Sequence, residues 1–141
     1  MTKNNYCHLL VTPKPTNLAC DTSELVLLGR SVQAEVKRFK KMVNGARQEG
    51  SPFLSFRKVD FYDDLPVEKI KNWVERCLSA ASLPTWQQYQ VTLQVCLFID
   101  GEDDTGLCVS AKIVELLSRI GGEVDIASER IHQTGQMSET F

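Results

Sequence analysis

Residues 88–99 constrain this fold more than any other stretch of the chain. Val91, Leu93, Val95, Leu97 and Ile99 fall on one side of an extended backbone, and Gln90, Thr92, Gln94, Cys96 and Phe98 fall on the other. A strand with one apolar side and one side that begins polar belongs in a sheet covered on a single face. The rest of the chain has to supply its neighbours and its cover.

Residues 5–12 give a second, shorter strand, stopped by Pro13 and Pro15. Residues 53–62, with Phe53, Phe56, Val59, Phe61 and Tyr62, give a third. Its alternation is broken, which is the signature of a β-bulge. Glu123–Ala127 is the last strand. Between the strands lie helical patterns. Leu25, Leu28, Val32, Val36, Phe39, Val43 and Ala46 step by three or four, predicting one long helix over 23–47 capped by Asp21 or Thr22. Gly29 leaves an alternative, a short strand at 24–28 with the helix starting near Ser31. A second helix carries Val67, Ile70, Val74, Cys77, Leu78 and Ala81, with Asp64 as its candidate cap and Pro66 in its first turn. Ser110 caps a third, which carries Ile113, Val114, Leu116, Leu117 and Ile120 and ends at Gly121-Gly122.

The order β-α-β-α-β-α-β predicts an α+β domain. Four or five strands form an antiparallel or mixed sheet, with about three helices on one face. A small doubly wound parallel sheet is the second choice. Residues 1–127 make the single domain expected of 141 residues, and 128–141 a polar tail. No apolar run is long enough to span a membrane. Five cysteines, an odd number with no C-x-x-C spacing, fit a reducing cytoplasm rather than a disulfide framework or zinc site.

Charge is divided unevenly. Residues 1–47 hold 8 Lys/Arg against 3 Asp/Glu, while the remainder holds 8 against 15, for a net charge of −2. The acidic share concentrates at Asp60, Asp63 and Asp64 and at Asp100, Glu102, Asp103 and Asp104. Carboxylates in such clusters pair with a basic partner, bind a hard cation, or simply solvate a strand–helix junction. The 100–104 loop departs from the EF-hand pattern, with Thr105 where the glycine belongs and Ala111 where the bidentate Glu belongs. Lys37, Lys40, Lys41 and Arg47 offer a basic helix face to nucleic acid, against an acidic pI near 5.7. No phosphate-loop or dinucleotide motif occurs, and no cofactor is expected. His8 beside Cys7 is no catalytic pair, because neighbours on a strand point to opposite faces. Trp73 and Trp86 are candidate interface anchors, with packing around the 83–86 turn as the alternative. Tyr62 is a third aromatic in the same role.

Strand Val91–Ile99, the acidic glycine-containing loop after it, Val109-Ser110 at a helix start and the run Leu117-Ser-Arg-Ile-Gly-Gly-Glu-Val-Asp-Ile together resemble small bacterial α+β domains. Some such domains are immunity partners of polymorphic or contact-dependent growth inhibition toxins. The resemblance spans about residues 88–127 and is one of pattern, with no residue-by-residue assignment. It implies a non-catalytic protein that neutralises a cognate toxin, such as a nuclease, by covering it. Asp60, Asp63, Asp64 and the 100–104 carboxylates would then meet a basic surface, with Trp73, Trp86 or Tyr62 as the desolvated anchor. Two other classes remain open: a metal-dependent hydrolase using the acidic clusters, and a nucleic-acid-binding regulator using the 30–47 segment.

Overall fold

The two cleanest alternating segments become neighbours. The computed structural model describes residues 4–14, 22–100 and 107–131. In chain order it contains β1 (Asn5–Pro13), α1 (Thr22–Val32), β2 (Glu35–Val43), β3 (Ala46–Ser55) and β4 (Val59–Phe61). Then come α2 (Val67–Ala80), the short α3 (Leu83–Trp86), β5 (Tyr89–Asp100), α4 (Ala111–Ser118) and β6 (Glu123–Ile131). The strands form one sheet in the order β2-β3-β1-β5-β6, with β4 also paired to β1. Every pairing is antiparallel except β5–β6. The succession β1-α1-β2-β3-α2-β5 is a split β-α-β arrangement. The α4–β6 unit extends it by one parallel strand.

The α+β class, the mixed sheet and the one-sided helix layer are as the patterning implies. Among the described residues there are six strands rather than four or five, and four helices rather than three. Cys7, Leu9 and Val11 of β1 lie opposite Val95, Leu93 and Val91 of β5, all fully buried. Over them pack Leu25 and Val32 of α1, Ile70 and Val74 of α2, and Ile113 and Leu117 of α4. Burying each such aliphatic side chain contributes about 1.5–3 kcal/mol. The opposite face of β5, from Gln90 to Phe98, is only half-buried.

The largest correction concerns residues 23–47. They form a helix only to Val32, and a β-hairpin takes over. The Gly29 alternative fails too, since Thr22–Val32 is helical throughout. The helix stops because Gln33 turns into the left-handed region (φ 59°). Ala34 N–H then donates to Gly29 O at 2.8 Å, and Gln33 N–H to Arg30 O at 3.4 Å. This is a Schellman closure built without glycine at its usual place. The Arg76 guanidinium, reaching from α2, donates to Val32 O and Gln33 Oε1 and holds the turn. Gly29 is needed for a different reason: a Cβ there would stand 3.0 Å from both Ala34 O and Leu54 Cδ2. The hairpin reverses at Asn44 (φ 51°) and Gly45 (φ 81°), the two positive-φ positions of a type I′ turn.

The expected irregularity at 53–62 is real. Leu10 faces Ser55 and Cys7 faces Val59, so three steps along β1 are matched by four between β3 and β4. One residue is extra, and Phe56 N–H, donating to Leu9 O at 2.9 Å, anchors the bulge. Two smaller corrections follow. Asp64 does not cap α2, which begins after Pro66 with no side-chain cap, whereas Ser110 Oγ does accept from Ile113 N–H and cap α4. And β6 runs on to Ile131, past the domain edge expected at 127, because its residues pair in parallel with β5 as far as Asp100.

Candidate functional site

The candidate acidic residues are sorted by the end of the sheet they reach. Asp60 pairs with Tyr6 across β4 and β1 and is exposed; Asn4 Nδ2 donates to its carboxylate at 3.5 Å. Tyr62, Asp63 and Asp64 follow in a turn and are all exposed, Tyr62 to 79%. One side chain fixes that turn against the sheet. Asn5 Nδ2 donates to Tyr62 O at 3.1 Å, while Asn5 Oδ1 accepts from Phe98 N–H at 2.8 Å. Asn5 thus bridges the turn to β5, two residues before Asp100, so Asp60, Asp63, Asp64 and Asp100 share one end of the sheet. Asp100 is half-buried. Glu102, Asp103 and Asp104, and with them the candidate cation loop, lie outside the described residues, as does His132. Among the described residues no three His, Cys, Asp or Glu side chains gather as metal ligands.

Both tryptophans are core residues, which removes them as surface anchors. Trp73 is 3% exposed and packs edge-on against Phe56, with centroids 5.9 Å apart. Trp86 is fully buried and donates its indole N–H to Cys77 O at 2.8 Å. Trp73 belongs with Ile70, Val74 and Cys77 at i, i+3, i+4, i+7 spacing, the ordinary core stripe of a helix. Tyr62 is the one of the three candidate aromatics that reaches solvent.

No family model, curated protein or solved structure matches this chain.

Sequence reasoning missed two groups. The first is on the open face of the sheet, centred on His8, which is 8% exposed. Its Nε2 lies 3.0 Å from Gln94 Oε1, and its Nδ1 lies 3.4 Å from Ser55 Oγ. Tyr6 meets the imidazole edge-on at 5.9 Å, and Lys58 Nζ sits 4.5 Å over the Tyr6 ring. Burial holds the His8 pKa below its usual 6.5; the hydrogen bond with Gln94 opposes this, and Lys58 and Lys37 add to it. Tyr6 is shifted up, chiefly by its hydrogen bond with Cys96 and then by burial. Cys7 lies on the other face, under the helices, its thiol pushed up by burial to about 11; Cys77 is likewise pushed to about 12. A thiol so shifted is an inert core group.

The second missed group is basic. The cations expected on a helix sit instead on the hairpin, where Lys37 and Lys40 are exposed on the edge strand β2. Charged residues and the register shift between Arg38 and Lys40 protect such an edge from pairing with other chains. At the bulge, Arg57 and Lys58 join Lys37 from β2 and Lys69 and Arg76 from α2 around adjoining clefts. These come from three distant segments, so no local spacing announces them.

Proposed function

We propose that this chain is a non-catalytic protein-binding module that neutralises a cognate toxin in the manner of an immunity protein, using the acidic end of its sheet. The observation that carries this reading is Tyr62, 79% exposed and flanked by the exposed carboxylates of Asp60, Asp63 and Asp64. An amphipathic ring on a backbone held by Asn5 loses little freedom on binding, which suits an interface anchor. The surrounding carboxylates complement a basic surface such as that of a nucleic-acid-cleaving toxin, and would mainly accelerate association. Asp60, Asp63 and Asp64 suffice for steering, so the reading does not depend on Glu102, Asp103 or Asp104.

The test uses the full chain, tagged and returned to its own cells to capture the partner, followed by binding kinetics with the purified pair. Tyr62→Ala should raise the dissociation rate and weaken binding by about thirtyfold, roughly 2 kcal/mol. Asp60→Asn with Asp63→Asn and Asp64→Asn should slow association at low salt and leave dissociation nearly unchanged. A captured toxin whose association and dissociation ignore all four substitutions would remove this end of the sheet from the function.

A further inference from the structure

We propose that the cleft beside the β3–β4 bulge binds a small ligand carrying two adjacent phosphate groups. Two adjoining clefts, of about 530 and 510 Å³, share Gln33, Phe56, Arg57 and Lys58. Lys37 lines the first cleft; Lys69 and Arg76 line the second. Among the described residues, Glu35 is the one carboxylate that lines either of them. Among the described residues, Lys37, Arg57 and Lys69 make no ion pair or hydrogen bond, and Lys58 only stacks on Tyr6. Five cations gathered around one lining carboxylate repel one another, and an anion seated between them relieves that repulsion.

Two backbone features and one side chain converge on the same place. The one-residue bulge carries Arg57 and Lys58, both exposed, between the ends of β3 and β4. Bulges recur beside sites because they re-aim side chains. Gln33 holds a positive φ, a strained conformation for a non-glycine residue, and lines both clefts. Arg76 satisfies Val32 O and Gln33 Oε1 through Nη1 alone, so its guanidinium is fixed in direction at the cleft wall. An Arg fork and Lys ammonium groups on both sides of a shared pair suit two linked phosphates better than one. Cavities of this size enclose a small molecule. A nucleic-acid strand is the poorer fit. Its path across the open sheet face would meet Glu123, Asp125 and Glu129 of β6, which lie in register with Thr92, Gln94 and Phe98.

The experiment is calorimetry and thermal melting of the full chain with inorganic pyrophosphate, ADP, a single-stranded decanucleotide and a hexaglutamate peptide. Pyrophosphate should bind with heat and raise the Tm, since a ligand of the folded state stabilises it. Arg57→Gln and Lys69→Gln should each weaken it by about tenfold or more. Lys40→Gln, an equal loss of charge on the hairpin, should leave it unchanged. ADP binding much more tightly than pyrophosphate would identify a nucleotide as the source of the diphosphate; equal binding would identify a diphosphate without a base. Seating the anion should also raise the His8 pKa, read from its ring proton shifts, because it offsets Lys37 and Lys58. No heat or Tm shift at millimolar pyrophosphate, an equal loss in Lys40→Gln, or tighter binding of the oligonucleotide or the glutamate peptide would each overturn the proposal. Melting each variant without ligand shows that it folds.

Discussion

The centre and the edge of the sheet are built on different terms. Between β1 and β5 eight register pairs run without a shift, with fully buried Cys7, Leu9 and Val11 against Val95, Leu93 and Val91. Between β2 and β3 the register shifts after Arg38 and the turn needs two positive-φ residues. The large side chains there stay partly in water: Phe39 is 48% exposed although it stacks on Phe53 at 4.3 Å, and Met42 is 64% exposed. The centre is held by burial, the edge by turn chemistry and by charge that discourages other strands. Stability should therefore concentrate in one pair of strands, and binding features should collect where pairing is interrupted. The bulge at 56–58 and the turn at 62–64 are both such interruptions.

The strongest way to break this contrast is to cut the centre. Leu93→Ala should cost about 3 kcal/mol, within the range of roughly 2–5 for a buried Leu, read as a lower urea midpoint with an unchanged slope. Phe39→Ala at the edge should cost under about 1 kcal/mol, because half its surface is already wet. Equal losses at the two positions would mean that the hairpin shares the core's cooperativity. Gly45→Ala forces an L side chain into φ 81° and should cost about 1 kcal/mol. Hydrogen exchange should sharpen that result. Amides of β2 and β3 should lose protection in Gly45→Ala while those of β5 keep theirs; uniform loss would show a single unfolding unit.

The same division explains what could be seen in the sequence. β5 was legible because its alternation is long and its apolar face unbroken, and α4 because Ser110 supplies a real cap. β2 was hidden because Leu25, Leu28, Val32, Val36, Phe39 and Val43 keep a helical spacing straight through a helix end. That end uses Gln33 where glycine would have signalled it. Yet Asn44-Gly45 is among the strongest short hairpin signals, and it outweighs a stripe that owes three of its members to a strand. The exposed carboxylates at 60–64 were legible as a local cluster. The basic cleft was not, because Lys37, Arg57, Lys69 and Arg76 meet only through the bulge and the packing of α2. Trp73 illustrates a further loss: it completes the core stripe of α2 with Ile70, Val74 and Cys77, although a tryptophan on a helix also suits an interface anchor.

The smallest expected effect lies on the open face, at the join between centre and edge. His8 belongs to β1, but the charges that act on it, Lys37 and Lys58, come from β2 and the bulge, with Tyr6 edge-on and Ser55 and Gln94 at its ring nitrogens. Its folded pKa lies below the ordinary 6.5, with burial as the first cause. Above pH 6.5 the imidazole is neutral in both folded and unfolded chains and contributes no pH dependence. As the pH falls below 6.5 the unfolded chain takes up the proton first, so stability falls until the folded imidazole also titrates. One proton limits that slope to about 1.4 kcal/mol per pH unit. His8→Gln keeps a polar side chain beside Gln94 and Ser55 without the titration. The variant should lose this part of the acid slope between pH 6.5 and 5 and keep the slope due to the carboxylates at lower pH, measured by urea midpoints across the range. Lys58→Gln should move the onset of the His8 contribution to lower stability cost, because the folded pKa then rises towards 6.5. An unchanged slope in His8→Gln would show that the imidazole is solvated in both states, and the central strand pair would then be less closed on its open side than its register implies.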